Sequence, residues 1–249
     1  MLELHHAHIS TCSQKVRLCL AEKELEWVGR PINFALREHL TAQYLAINPN
    51  GVVPTLVHDG APVIDSSVIC EYLDETAPAR GAALMPTDAL GRARVRAWLR
   101  YIEEVPTAAI RIPSFNRLFL AGWKTLGAAQ REAYVAATPL RKAHYRSFGD
   151  SGFSDAAMDE SLARLRQTLE RIEAATAKGP WLAGEAFGLA DICVTPTLVR
   201  MEDLDLAHLW TDLPGAADWF ARVQARPSFA AAYYPGSRVS PAAFDLAAS

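Results

Sequence analysis

Residues 48–67, NPNGVVPTLVHDGAPVIDSS, constrain the fold more than any other part of the chain. TLVH and APVI flank Asp59-Gly60, a dipeptide that accepts the left-handed backbone of a two-residue turn, so the two runs read as a β-hairpin. Asp65 and Ser66 follow at once, placed to cap a helix whose apolar residues Val68, Ile69, Tyr72 and Leu73 recur at helical spacing. Upstream, Leu2 and Leu4 alternate with Glu3 and His5 as in a strand, and Val16, Cys19 and Leu20 fall on one helical face. A second strand is expected around Trp27 to Asn33. Pro31 confines it to a sheet edge, because proline cannot donate to a ladder. The order strand, helix, strand, hairpin, helix predicts a small mixed sheet with helices packed on it.

ETAPARGAALMP, residues 75–86, is rich in proline, glycine and alanine, has no period and reads as a linker. Beyond it the signals are helical. Trp98, Tyr101, Ile102 and Val105 form one stripe, and Leu162, Leu165, Leu169 and Ile172 repeat at spacings of three and four. The expected organisation is an α/β domain over residues 1–78, a linker over 79–87 and an all-helical domain over 88–249.

A net charge of -3 gives no electrostatic footprint for nucleic acid, and no apolar run approaches the roughly 20 residues of a membrane span. Glu3 and two histidines in the first six residues do not suit a secretion signal. Cys12, Cys19, Cys70 and Cys193 lack metal-ligand spacing and read as reduced thiols of a cytoplasmic protein, with no metal expected.

Three places carry possible chemistry. Val53-Pro54 enters the hairpin; a cis bond there would make a tight turn able to offer the Val53 backbone to an extended ligand, the alternative being an ordinary loop proline. Ser66 at a helix start suits a carboxylate, and Asp65 beside it suits an ammonium; the alternative is that the pair only caps the helix. STCSQKVR, residues 10–17, places three hydroxyls and a thiol where a helix begins, so a thiolate would gain from the positive dipole end, the alternative again being capping.

The order of these signals resembles that of the cytosolic glutathione transferases over nearly the whole chain. The most specific part, REHLTAQYLAINPNGVVPTLVHDGAPVIDSSVICEYLDE, has that family's NPxGxVP turn and the acidic-Ser pair opening the next helix. GEAFGLADICVTPTL resembles the family's hydrophobic-staple helix start, departing at Gly188, where Ser or Thr normally caps; by intrinsic preference glycine is the weaker cap. The resemblance implies a thioredoxin-like domain that binds glutathione as co-substrate, followed by an all-helical one that supplies the electrophile site. It implies that Val53, next to a cis Pro54, pairs with the cysteinyl part of glutathione. Ser66 takes the γ-glutamyl carboxylate, Asp65 its amino group, and His39 the glycine carboxylate. Ser10 falls where serine classes place the hydroxyl that stabilises the thiolate, and a serine there argues against disulfide reduction. STCSQKVR also resembles the SSCS segment of the maleylacetoacetate-isomerase class, and HDGAPVIDSSVICEYL resembles bacterial β-aryl etherases, which leaves Cys12 and Ser13 as further catalytic candidates.

A free thiol near pKa 8.5 is only a few per cent ionised at neutral pH. Lowering it by about two units takes roughly 2.7 kcal/mol, the size of one hydrogen bond to a charged group. Tyr101, Arg111, Phe115, Trp123 and Tyr145 are the candidates to line an interdomain cleft for the second substrate, with Arg111 able to hold an acidic leaving group. The expected activity is glutathione conjugation of a hydrophobic or aromatic electrophile in detoxification. β-Aryl ether cleavage and cis-trans isomerisation are the enzymatic alternatives, and a non-catalytic interaction protein is the alternative of another class. The resemblance also implies a homodimer, with Arg92, Arg94, Arg96 and Arg100 facing Glu71, Asp74 and Glu75 across the interface.

Overall fold

In a computed structural model, which describes residues 1–239, β1 (Leu2–His6), α1 (Thr11–Glu22), β2 (Val28–Pro31), α2 (Ala42–Ile47), β3 (Thr55–His58), β4 (Ala61–Ile64) and α3 (Ser66–Thr76) follow in the expected order. The sheet order is β2-β1-β3-β4; β1 runs parallel to β2 and antiparallel to β3, and β3 to β4 is a hairpin. Pro31 sits on the edge strand, where its missing N–H costs no ladder bond. Asp59 and Gly60 have φ of 49° and 86°, the left-handed pair that the turn requires.

The remaining elements are helical: α4 (Ala89–Glu104), α5 (Pro106–Ala109), α6 (Arg111–Leu118), α7 (Leu120–Lys124), α8 (Ala128–Ala137) and α9 (Lys142–Phe148). They are followed by α10 (Asp155–Thr176), α11 (Leu189–Asp203), α12 (Pro214–Gln224) and α13 (Pro227–Ala232). The last ten residues of the expected helical region, 240–249, lie outside the described residues. The predicted stripes are the buried faces: Trp98 and Ile102 on α4, and Leu165, Leu169 and Ile172 on α10. α11 is buried on nearly every side, its polar Asp191, Arg200 and Asp203 included.

One apolar cluster runs without a break from Leu4, Val16 and Leu56 of the sheet region to Leu169, Leu198 and Trp219 of the helices. The change in secondary structure along the sequence is therefore not a change of core. α1 joins the two parts, packing on α3 on one side and on α11 and α13 on the other. Polar side chains reinforce the seam: Arg226 makes a two-pronged contact with Glu22 at 2.6 and 2.8 Å, and the Arg17 guanidinium donates to the Ala232 carbonyl at 3.1 Å.

The segment read as a linker is irregular but tightly held. Leu84 and Met85 are buried, and both donate backbone N–H groups to the Asp74 carboxylate at 3.0 and 3.1 Å. Lys23 pairs with the same carboxylate at 3.0 Å and donates to the Ala82 carbonyl at 2.9 Å. Gly188 lies against this segment. A Cβ there would stand 2.7 Å from the Leu84 carbonyl oxygen, which accepts from Leu189 N at 3.1 Å. Glycine is thus demanded by close approach, which corrects the reading of Gly188 as a weak cap. Asp191 completes the helix start by accepting from Gly188 N at 3.0 Å, Leu182 N at 3.0 Å and Trp219 Nε1 at 2.8 Å.

The charges expected to face a second subunit are largely used within the chain. Arg92 pairs with Glu75 and Arg96 with Glu71, each at 2.9 Å, and Asp74 is occupied as described. Arg94 and Arg100 are exposed, as are Val68 on α3 and Leu90 on α4.

Candidate active site

The NPNGVVP turn closes one end of the sheet. Gly51 has φ of +60°, and a Cβ there would lie 2.8 Å from Pro139 Cδ, so both backbone and space select glycine. Asn48 Nδ2 donates to the Val52 carbonyl at 2.8 Å and to Thr55 Oγ1 at 2.9 Å, while the Tyr44 hydroxyl donates to the Val52 carbonyl at 2.7 Å. Asn48 and Tyr44 are turn-holding residues that sequence reading missed, although Asn48 opens the motif itself. The Val53–Pro54 bond is cis, as expected. With Val52 so anchored, the N–H and C=O of buried Val53 have no backbone partner among the described residues. The β3–β4 register sets Thr55 opposite Ile64, which brings Val53 and Pro54 to the sheet end where Asp65 and Ser66 open α3.

Asp65 does cap that helix. Its Oδ1 accepts from Ser67 N at 3.0 Å and Val68 N at 3.2 Å, leaving the second oxygen of an exposed carboxylate available. Ser67 turns inward and donates to Glu103 Oε1 at 2.8 Å, whereas Ser66 holds the first helical position. The cap and the binding role are thus compatible within one side chain.

Ser10 has the same dual character. It is the N-cap of α1, its Oγ accepting from Ser13 N at 3.3 Å. Capping uses an acceptor lone pair and leaves the hydroxyl proton free to donate. Ser10, Thr11 and Cys12 border a cavity of about 550 Å³, the size of a small-molecule site. Ser13 does not: it is fully buried, and its Oγ accepts from Ala7 N at 3.3 Å. The first turn of α1 has no acidic residue to offset the positive end of the helix.

Cys12 is half-buried and contacts the Arg111 guanidinium. Behind it, Lys15 is fully buried and pairs with Glu103 and with Ser67 Oγ, the latter at 3.2 Å. Burial alone would lower the Lys15 ammonium, but Cys193, Glu103 and Cys12 raise it well above its usual range. Because burial keeps the Cys193 thiol protonated, Glu103 supplies the countercharge at neutral pH.

The helical wall contains four of the five predicted residues: Arg111, Phe115, Trp123 and Tyr145 border the cavity. Tyr101 does not. Its hydroxyl is hydrogen-bonded with Thr168 Oγ1 at 3.0 Å and its ring packs under Arg171, on the face of α4 that meets the core. His39 lines the cavity beside Tyr134, with Nε2 and the tyrosine hydroxyl 3.3 Å apart. Burial, with Arg141 and Arg37 adding to it, holds the His39 imidazole down at about 4. It therefore meets a ligand as a neutral hydrogen-bonding group.

Sequence reading missed Arg37, Tyr134, Arg141 and Arg200, all on the cavity wall. Arg37 stacks over the Tyr134 ring at 5.0 Å. Arg200 crosses from α11 to donate to the Ile9 carbonyl, next to Ser10, and to Ser114 Oγ at 3.3 Å. An arginine within the mostly apolar LADICVTPTLVRM was the signal available for it; nothing in TPLRKAHY marked Arg141.

Residues 9–76 match the family model described as Glutathione S-transferase, N-terminal domain, and residues 155–222 the one described as Glutathione S-transferase, C-terminal domain. Maleylacetoacetate isomerase of Pseudomonas aeruginosa is 30% identical over 252 residues, covering 97% of this chain and 100% of that protein. Protein LigF of Sphingobium sp. strain SYK-6 is 28% identical over 223 residues, 87% of this chain and 86% of its own. The crystal structure of Beta-etherase LigF from that strain superposes with a TM-score of 0.84 at 26% identity, covering 93% of this chain and 98% of the other. The chain belongs to the glutathione S-transferase family, and its fold is the family fold, a thioredoxin-like sheet region followed by a helical one. Its class is accordingly that of the glutathione transferase enzymes.

Proposed function

We propose that this protein ionises glutathione at Ser10 and directs the thiolate at a hydrophobic, electrophilic second substrate in the 550 Å³ cavity. The single observation that carries the reading is that the Val53 backbone groups, which have no backbone partner among the described residues, lie at the same cavity that the Ser10 hydroxyl borders. An extended tripeptide running from Ser66 and Asp65 past Val53 to His39 brings its central cysteine to Ser10. There the hydroxyl donates to the sulfur, and the helix end and the Arg111 cation favour the charged form. The thiolate forms a C–S bond to the electrophilic carbon. The leaving group departs with its electron pair, with Arg111 near enough to the sulfur subsite to stabilise an anion.

Retention on immobilised glutathione together with turnover of an aryl halide tests this reading; failure of both refutes it and favours a non-catalytic interaction protein. A second reading is glutathione-dependent cleavage of a β-aryl ether, in which the broken C–O bond releases a phenolate. Similarity to LigF over nearly the whole chain favours it, as similarity to maleylacetoacetate isomerase favours isomerisation. Turnover of a model β-aryl ether and of a cis-dienoic acid, compared with the aryl halide, ranks the three.

The protein is proposed to act in detoxification as a cytoplasmic homodimer. Four unpaired cysteines suit a reducing compartment. Val68 and Leu90, exposed on α3 and α4, with Arg94 and Arg100, are the groups offered to a second copy. Light scattering that gave a monomer mass at micromolar concentration would refute the dimer.

A further inference from the structure

The cavity wall is unbalanced in charge: Arg37, Arg111, Arg141 and Arg200 border it, and among the described residues no aspartate or glutamate does. Two of the four cations are already engaged. Arg37 stacks on Tyr134, and Arg200 is held by the Ile9 carbonyl, Ser114 and, at 3.7 Å, Asp203. Arg111 and Arg141 remain, at the start of α6 and just before α9, and neither makes an ion pair among the described residues. They lie close enough to repel: burial first and Arg141 second push the Arg111 guanidinium down from its usual range. Arg111 contacts the Cys12 thiol, and beyond that contact the two arginines face no free countercharge among the described residues. His144 and His39 are both held down at about 4 and are neutral near pH 7, while Glu103, the acid that acts on Arg111, is bound to Lys15 and Ser67. Between these cations the wall is apolar, from Phe115, Phe119 and Trp123. Both arginines are only part-buried, so a ligand can reach them from the cavity, and the planar fork of a guanidinium matches a carboxylate.

We propose that the electrophile this enzyme takes is itself an acid, an aromatic or similarly flat body carrying a carboxylate that Arg111 and Arg141 hold. The proposal rests on the transferase reading above and names its substrate class. Arg141 also acts on His39, where the glycine carboxylate of glutathione is placed, and Arg111 faces the sulfur, so glutathione is the competing occupant and KM for glutathione distinguishes it from an acidic electrophile.

The test pairs 4-(chloromethyl)benzoate with uncharged 4-methylbenzyl chloride, each with glutathione near pH 7. The wild-type kcat/KM, corrected for the uncatalysed rate, favours the acid by about tenfold or more, the worth of one charge-assisted contact. Arg141→Gln lowers that acid-to-neutral ratio by about tenfold through KM for the acid, and Arg111→Gln lowers the ratio by about as much while also slowing both electrophiles through the less ionised thiolate. Equal preference in the wild type, unchanged ratios in the variants, or a rise in KM for glutathione with both electrophiles overturns the proposal. Calorimetry with unreactive 4-methylbenzoate and 4-methylbenzamide reads the same contact without turnover. Tighter binding of the acid, lost in folded Arg141→Gln, supports the proposal even if the chemistry of the transferase reading fails. Equal binding of acid and amide overturns the proposal even if transfer of glutathione is observed.

Discussion

Replacing Ser10 by alanine removes two interactions of different kinds. The first is the cap: Ser13 N loses its acceptor at 3.3 Å, which costs about 0.5–2 kcal/mol of stability. The second is the hydroxyl donor to the bound sulfur. A hydrogen bond to a charged group contributes about 1.5–3 kcal/mol, and at 1.36 kcal/mol per unit its loss raises the pKa of bound glutathione by about one to two units. Starting from a bound thiol about two units below its free value near 8.5, the ionised fraction at pH 7 then falls about three- to twenty-five-fold. Turnover follows that fraction, whereas KM for glutathione changes little, because Val53, Asp65 and Ser66 lie away from the sulfur. Two further variants separate chemistry from folding. Ser10→Gly keeps most of the capping preference yet gives the same pKa rise, and Ser13→Ala removes the acceptor of Ala7 N, lowering stability without a rise. The ultraviolet absorbance of the bound thiolate, titrated with pH in each variant, is the assay. An unchanged titration in both Ser10 variants, or a shift confined to Ser13→Ala, refutes the reasoning.

Asp65→Ala and Ser66→Ala each raise KM for glutathione about tenfold or more, with kcat nearly unchanged, since both groups serve ground state and transition state alike. Initial-rate kinetics check this; unaltered affinity in both reduces Asp65-Ser66 to a cap. Gly188→Ser lowers stability by about 1–3 kcal/mol despite introducing a preferred cap, because its Cβ meets the Leu84 carbonyl at 2.7 Å; a raised urea midpoint would contradict this. Burial, first among the causes, holds His6, His39 and His144 at about 4, against 6.5 ordinarily. The unfolded chain therefore binds their protons first, and stability that is full above pH 6.5 is lost as pH falls toward 4. Asp191, raised by burial to about 6, acts in the opposite sense, but the histidines outnumber it three to one. The urea midpoint accordingly drops over that range, and a flat midpoint would show that the histidines are not buried.

What was legible in the sequence was what local chemistry dictates. Asp59-Gly60, Pro31 and Asp65 each act through their own backbone or the next turn, so the hairpin, the edge strand and the start of α3 could be read directly. The site half that lies on these elements came with them. What was not legible depends on packing between distant segments. Tyr101 and Phe115 both read as aromatics on helices, and only the three-dimensional arrangement turns one to the core beside Thr168 and the other to the cavity. Gly188 read as a poor cap because its reason, the Leu84 carbonyl, lies over a hundred residues away. Arg141 and Arg200 reach the cavity from the helical region, and no short-range pattern announces that. Ser10 and Asp65 posed a different difficulty. Capping and ligand binding call for the same residue types at a helix start, so sequence could not separate the two roles, and the hydrogen bonds show that both fit on one side chain.

The most direct test of the account is a crystal structure of the protein with glutathione bound. The account predicts the sulfur at roughly 3–3.5 Å from Ser10 Oγ, the cysteinyl backbone paired with both Val53 groups, and the γ-glutamyl end on Ser66 and Asp65. Glutathione laid along the helical wall with its sulfur turned away from Ser10, or with Val53 left unpaired, would contradict it.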